Sequence, residues 1–176
     1  RDQGTLPEMV QVGNEINHGI LWPDGHIGNL DNLAELLNAG VEGVREVDPS
    51  IIGMMHIALG GQNREATFWL DNMIARGVDF DIIGLSYYPR WHGTLDDLKF
   101  NLNTLAKRYK KDLNVLEYSI FKKEIHDIVF SLPDNRGEGT FIWEPIYSFF
   151  DKTGNPTKEL LIYDDLSKQY LVNYQK

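Results

Sequence analysis

The chain has 176 residues and a formal net charge of −9, since 26 acidic side chains outweigh 17 basic ones. Its length is typical of a single domain, and 42% hydrophobic residues are enough to build a core. The acidic balance argues against nucleic acid and against an anionic membrane surface, because both partners require basic patches. The apolar runs fall far short of the roughly 20 residues that a membrane-spanning helix needs. The absence of cysteine excludes disulfides and cysteine-bound zinc.

Short apolar segments of strand type alternate along the chain with amphipathic helical segments. The strand-type segments cover residues 9–12, 51–57, 82–87, 115–116 and 140–143. The predicted helices cover residues 30–46, 65–76, 95–109 and 122–130, followed by one broken or two short helices over 157–176. Thr94 and Asp97 form the pattern of a capping box at the start of the third helix. The alternation predicts a parallel α/β sheet, and its regularity favours a (β/α) barrel over a doubly wound sheet.

Two glutamates stand where predicted strands end. Glu15 follows the first strand-type segment, and Glu117 follows the fourth. In a (β/α) barrel these ends meet at the face that holds the active site. A pair of carboxylates in one pocket is the arrangement that glycosidic bond cleavage needs, with one group as acid and the other as nucleophile. Each glutamate taken alone could equally be a helix cap or an ion-pair partner, but the neighbouring amide of Asn14 favours contact with a sugar hydroxyl.

The segment VGNEINHGILWPDG, residues 12–25, resembles the signature of glycoside hydrolase family 53, the endo-β-1,4-galactanases. In that family Asn-Glu ends the fourth strand of a (β/α)8 TIM barrel. Further similarities follow in order, at His56, at GLSYYPRWHG (84–93), at VLE (115–117) and at WEP (143–145). The resemblance implies that residues 1–176 are the C-terminal part of the catalytic domain, from the fourth to the eighth strand. We therefore expect an incomplete barrel whose first three strands lie outside this chain.

The resemblance also implies roles for individual residues. Glu15 matches the acid/base and Glu117 the nucleophile of a retaining mechanism. Asn14 matches the residue that contacts the sugar 2-hydroxyl, and Tyr87 lies where the family supports its nucleophile. His56 is expected to form hydrogen bonds within the same pocket.

Four aromatic residues follow predicted strand ends and are expected to bind substrate, because a galactose face stacks well on an aromatic ring. They are Trp22, Tyr88, Trp91 and Trp143. Two alternatives stay open at this stage. Trp143 could close the floor of the pocket, and Trp22 could pack within its own loop.

The sequence predicts no metal and no other cofactor. His18, His56 and His92 do not stand at the spacing of metal ligands, and we expect His92 to line a sugar subsite instead. Some bacterial relatives hold calcium in a long loop between the seventh and eighth strands. The segment between Glu117 and Thr140 must hold a helix and leaves no room for such a loop.

The resulting expectation is a secreted, periplasmic or cell-surface enzyme that hydrolyses β-1,4-galactosidic linkages in galactan or arabinogalactan with retention of configuration. The isolated chain is expected to be inactive or weak, because an open barrel leaves the pocket wall incomplete. Exposed sheet edges predict self-association or pairing with the missing N-terminal half of the barrel. Two alternatives are a non-catalytic carbohydrate-binding or self-assembling protein, and a different retaining β-glycosidase with the same barrel.

Overall fold

A computed structural model describes residues 3–170. The elements in chain order are β1 (Met9–Gln11), β2 (Gly19–Ile20), β3 (Gly25–His26), α1 (Leu30–Val47), β4 (Ile52–Ile57), α2 (Asn63–Ala75), β5 (Ile82–Ser86), α3 (Pro89–His92), α4 (Leu95–Tyr109), β6 (Asp112–Glu117), α5 (Lys122–Phe130), β7 (Gly137–Thr140), α6 (Pro145–Phe149) and α7 (Ile162–Tyr170). Five strands form one parallel sheet in the order β1-β4-β5-β6-β7, while β2 and β3 form a separate hairpin.

The local sequence explains where the main helices begin. Asn29 caps α1, where its side chain accepts the backbone N–H of Asn32. The predicted capping box of α4 is confirmed, with Thr94 and Asp97 each accepting a hydrogen bond from the other's backbone N–H. Each helix then turns an apolar stripe toward the sheet, as Leu33 and Leu37 of α1 do, and both are fully buried.

The two faces of the sheet differ in what covers them. Met55, Ile83 and Val115 point to the helices and belong to the large core cluster. The alternate residues Met54, Ile82 and Leu116 point to the opposite face and form a smaller cluster with Met9. In a closed barrel this second face would be the interior. Among the described residues, no helix is long and apolar enough to cross a membrane.

One predicted strand is displaced. The sequence pattern placed the last strand at residues 140–143, whereas β7 ends at Thr140. The reason is the close approach of α5, because a Cβ on Gly137 would lie 1.9 Å from the carbonyl oxygen of Val129. Only glycine fits there, and the strand sequence Gly-Glu-Gly-Thr contains none of the large apolar residues on which the prediction relied. In the tail, a 3₁₀ turn at Lys158–Leu161 precedes α7, and residues 171–176 of the predicted helical segment lie outside the described residues.

Candidate active site

The two glutamates meet at the C-terminal edge of the sheet. Glu15 follows β1 in a left-handed backbone conformation, with φ 48° and ψ 49°, and Glu117 is the buried last residue of β6. One carboxylate oxygen from each glutamate and one ring nitrogen of His56 lie within 4.8 Å of one another. The fold therefore brings together three polar groups that the sequence keeps far apart.

Glu15 lies at the end of a chain of polar contacts. Its Oε1 is 2.7 Å from Ser86 Oγ, which is 2.7 Å from His56 Nε2. On the other side of the ring, His56 Nδ1 lies 3.1 Å from Asn14 Oδ1 and 3.4 Å from the backbone nitrogen of Glu15. Burial lowers the pKa of His56 to about 4, and the negative charge of Glu15 opposes this shift only in part. The imidazole is therefore neutral at neutral pH.

Glu117 has a different environment. Burial raises the pKa of Glu117, the hydrogen bond from Tyr88 lowers it, and the charge of Glu15 raises it again. The Tyr88 hydroxyl donates this bond to Glu117 Oε2 over 3.0 Å. The backbone N–H of Tyr88 donates to Nδ1 of buried His92 over 2.9 Å. Because His92 is the last residue of α3, this bond holds Tyr88 against that helix. The structure thus places His92 behind the backbone of Tyr88, and its expected place in a sugar subsite stays a prediction.

The tyrosine that reaches the predicted nucleophile is Tyr88 and not Tyr87. Tyr87 is buried at 1% exposure, and its hydroxyl donates to the carbonyl of Gly93. Side chains alternate along an extended chain, so Ser86 and Tyr88 point to one side and Tyr87 to the other. The resemblance therefore placed this contact one residue too early. The sequence analysis did not identify Ser86. It is the one hydroxyl in an otherwise apolar strand and lies two positions before Tyr88, so the alternation of side chains would have placed both residues on the same face.

The predicted stacking residues are exposed, but they lie on different loops. Trp22 is 63% exposed, Trp91 64% and Trp143 50%. Trp91 packs edge-on against Tyr88 at 5.8 Å between ring centroids, and the backbone N–H of Trp143 donates to Tyr118, the residue after Glu117. Trp22 packs within its own hairpin, because its indole N–H donates to the His18 carbonyl and its ring meets His26 edge-on.

The cluster of Glu15, His56 and Glu117 is also close enough to share a cation. The spacing of these residues in the sequence does not indicate such a cluster, since they come from the ends of three different strands. Both ring nitrogens of His56 already face protein partners, and the ring is fully buried. The geometry therefore favours the two carboxylates as the reactive groups, and the absence of a metal from the chemistry stays a prediction.

We expect Tyr88→Phe to raise the pKa of Glu117 further. The substitution removes the Tyr88 hydrogen bond, which favours the charged carboxylate, while burial and the charge of Glu15 continue to oppose that form. Carboxyl ¹³C NMR titration of the chain measures the change directly. Tyr87→Phe is the matched control, because the Tyr87 hydroxyl bonds Gly93. If the pKa of Glu117 changed in Tyr87→Phe and not in Tyr88→Phe, Tyr87 would be the tyrosine that stabilises the Glu117 carboxylate.

A parallel sheet of barrel type with a close pair of carboxylates at its C-terminal edge defines the class of (β/α)-barrel proteins built like glycosidases. Comparison with protein families narrows this class. The profile of glycosyl hydrolase family 53 matches residues 1–128. The chain belongs to glycosyl hydrolase family 53.

Individual relatives agree with this membership. A protein of Niallia circulans, described as an uncharacterised protein in the bgaB 5′ region, is 36% identical over 188 residues, covering 84% of this chain and 51% of that protein. The arabinogalactan endo-β-1,4-galactanase of Thermothelomyces thermophilus is 31% identical over 182 residues, covering 84% and 54%. A solved fungal β-1,4-galactanase matches with a TM-score of 0.86 at 26% identity, covering 93% of this chain and 63% of that one.

The chain spans about half the length of these curated relatives. Its sheet of five parallel strands corresponds to part of the TIM barrel of its structural neighbours, so the predicted fold class is confirmed.

Proposed function

We propose that the chain forms the C-terminal part of a retaining glycosidase domain that cleaves β-1,4-galactosidic linkages in galactan or arabinogalactan. The observation that carries this proposal is the separation of at most 4.8 Å between carboxylate oxygens of Glu15 and Glu117. Carboxyl groups about 5–5.5 Å apart are typical of retaining glycosidases, whereas inverting enzymes need about 6.5–9.5 Å to admit a water molecule. The names of the fungal relatives support galactan as the substrate.

In this proposal the site runs two steps. Glu117 attacks the anomeric carbon while Glu15 gives its proton to the departing glycosidic oxygen, which leaves a galactosyl ester on Glu117. Water then attacks the same carbon and gives its proton to Glu15, which breaks the ester and restores both residues. The Tyr88 hydroxyl favours the ionised form of Glu117 that the attack needs. Asn14 contacts the sugar 2-hydroxyl.

Substrate recognition rests on aromatic rings and not on charge. Tyr88, Trp91 and Trp143 surround the end of β6 and offer faces for galactosyl units, while Trp22 extends the surface on the neighbouring hairpin. The net charge of −9 suits a neutral polysaccharide and disfavours nucleic acid. Since galactan is a large extracellular polymer, the proposal places the enzyme outside the cell.

We expect full activity to need further strands, because the sheet is open at both edges. Among residues 3–170, strands β1 and β7 end the sheet, and each has a strand neighbour on one side only. On the face of Met54, the buried Oδ1 of Asn114 has no hydrogen-bond partner among residues 3–170. An unpaired buried oxygen and open parallel edges both favour association, either with the N-terminal strands of the barrel or with a second copy of the chain.

We expect the isolated chain to release reducing sugar from galactan at about 1% or less of the rate of a completed barrel, because substrate-positioning groups on the missing strands are lost. The completed barrel is this chain co-expressed with the part of the Thermothelomyces thermophilus galactanase that it does not match. Reducing-sugar assays on both preparations measure the ratio. Full turnover by the isolated chain, lost in Glu15→Gln and in Glu117→Gln, would show that five strands suffice.

The second candidate function is carbohydrate binding without cleavage, which the exposed rings of Trp91 and Trp143 favour. Electrophoresis in gels that contain galactan separates the two functions. Retardation of the completed barrel with no release of sugar supports the binding protein. Release of sugar supports the hydrolase.

A further inference from the structure

The backbone at Glu15 has a conformation that glutamate rarely adopts. Its φ of 48° and ψ of 49° lie in the left-handed region, where most side chains other than glycine are strained. Such a conformation persists only where the surrounding structure holds it. The direction in which the Glu15 carboxylate points therefore depends on the contacts that hold residues 15–18, which form the Glu15 turn.

Strand β4 holds one side of the Glu15 turn. The backbone N–H of Glu15 donates to His56 Nδ1 over 3.4 Å. The N–H of Ala58, directly after β4, donates to Asn17 Oδ1 over 3.0 Å. These two bonds reach residues 15 and 17, and the carbonyl group of residue 16 between them depends on other donors.

Trp69 of helix α2 supplies one of these donors. Its indole N–H donates to the carbonyl oxygen of Ile16 over 3.2 Å, and the same oxygen accepts the backbone N–H of Gly19. Trp69 is 1% exposed and Ile16 is 2% exposed, and both belong to the large core cluster between the sheet and the helices. The bond is therefore shielded from water, and its loss would leave one acceptor position of a buried carbonyl unused.

We propose that Trp69 is a positioning residue whose indole N–H fixes the Glu15 turn, so that the Glu15 carboxylate stays close to that of Glu117. Trp69 acts through the backbone of Ile16 from the helix side of the sheet. The role of Glu15 as acid/base rests on the proposed function, whereas the bond from Trp69 and the distance between the carboxylates do not.

The charge of Glu15 provides a measure of its position. Burial has the largest effect on the pKa of Glu117, of His56 and of His92, and the charge of Glu15 raises all three values. If the Glu15 carboxylate moved away, these pKa values would fall. The direction for Glu117 is opposite to the one expected in Tyr88→Phe, so the two effects can be told apart.

Trp69→Phe tests the role, because phenylalanine keeps an aromatic ring in the core and lacks the donor. We expect the pKa of Glu117 and that of His56 to fall, as measured by carboxyl ¹³C and histidine ¹⁵N NMR titration of the chain. Leu70→Val is the matched control, since Leu70 is the next residue of α2, is fully buried and loses only a small volume. It should lower stability and leave both pKa values unchanged.

Two results of this titration would overturn the proposal. One is a folded Trp69→Phe variant with both pKa values of the wild type, and the other is an equal fall in Leu70→Val. If Trp69→Phe is unfolded in buffer, the titration is run in sucrose, which favours the folded state. The measurement needs no turnover, so its outcome does not depend on whether the chain is a hydrolase.

Kinetics of the completed barrel separate positioning of Glu15 from a general loss of structure. Trp69→Phe should lower kcat/KM for galactan by about 10–100-fold, because small misplacements of a catalytic group are costly. For an aryl β-galactoside whose phenolate leaves without a proton, kcat/KM should change little, since bond cleavage then needs no acid. Equal losses on both substrates would overturn the proposal. A wild-type completed barrel that cleaves neither substrate would contradict the proposed function and leave the titration to decide the role of Trp69.

Discussion

Glu117→Ala in the completed barrel is expected to lower the rate of galactan hydrolysis by roughly 10⁴-fold or more, which is the scale of losing a catalytic nucleophile. Alanine cannot form the ester, and the space that it leaves admits a small anion. Azide should therefore restore cleavage of an aryl β-galactoside and produce α-galactosyl azide, because it attacks from the side that Glu117 occupied. Product NMR identifies the anomer.

Two further variants make this result specific. Glu15→Ala should yield β-galactosyl azide, since Glu117 still forms the ester and azide then attacks from the opposite face. Glu124→Ala on the outer surface of α5 is the matched control and should hydrolyse galactan normally, because this glutamate is exposed and lies on a covering helix. If Glu117→Ala produced the β-azide, the assigned roles of the two glutamates would have to be exchanged.

The sequence was sufficient to predict that two carboxylates share one face of the sheet, because both follow the same positional rule. Glu15 and Glu117 directly follow apolar strand segments, and in a parallel barrel such positions share one face. The distance between them could not be predicted, because it depends on the left-handed backbone at Glu15, which no propensity assigns to a glutamate. The separation that favours retention thus came from the structure alone.

The failures of sequence reasoning have physical causes as well. The contact to Glu117 was placed at Tyr87 because a resemblance aligns motifs but does not fix which of two adjacent tyrosines faces the pocket. The predicted position of β7 was wrong because the contact with α5 requires glycine at position 137. Glycine is rare in strands, so a pattern based on apolar residues does not detect this strand. Alternation could have placed Ser86 on the face of the site, but its contact with His56 could not be predicted, since that contact depends on the register between β4 and β5.

Strand β5 and its extension have a central part in the site that only the structure shows. Ser86 and Tyr88 are two residues apart, so their hydroxyls emerge on the same side, and each contacts one of the two glutamates. Their environments differ, because Ser86 leads back to a neutral histidine while Tyr88 only donates. The same strand therefore gives each of the two glutamates a hydroxyl partner in a different environment.

Gly61→Ala should destabilise the chain by about 3 kcal/mol, the upper end of typical overpacking costs. A Cβ on Gly61 would lie 1.8 Å from the carbonyl oxygen of His92 and 3.0 Å from its carbon, so the backbone of α3 must move. Gly43→Ala on α1 is the matched control, because nothing lies within 4 Å of its added Cβ, and alanine should stabilise that helix by about 0.5–1 kcal/mol.

Urea denaturation compares the three proteins, and a lower midpoint at unchanged slope identifies a true loss of stability in Gly61→Ala. The displacement should also reach the site, because the ring of His92 holds the backbone N–H of Tyr88, and the hydroxyl of Tyr88 holds Glu117. Gly61→Ala is therefore expected to raise the pKa of Glu117 in the same direction as Tyr88→Phe, while Gly43→Ala leaves it unchanged. If Gly61→Ala unfolded at the same urea concentration as the wild type, α3 would be able to move without cost. The predicted effect of position 61 on the pKa of Glu117 would then have no basis.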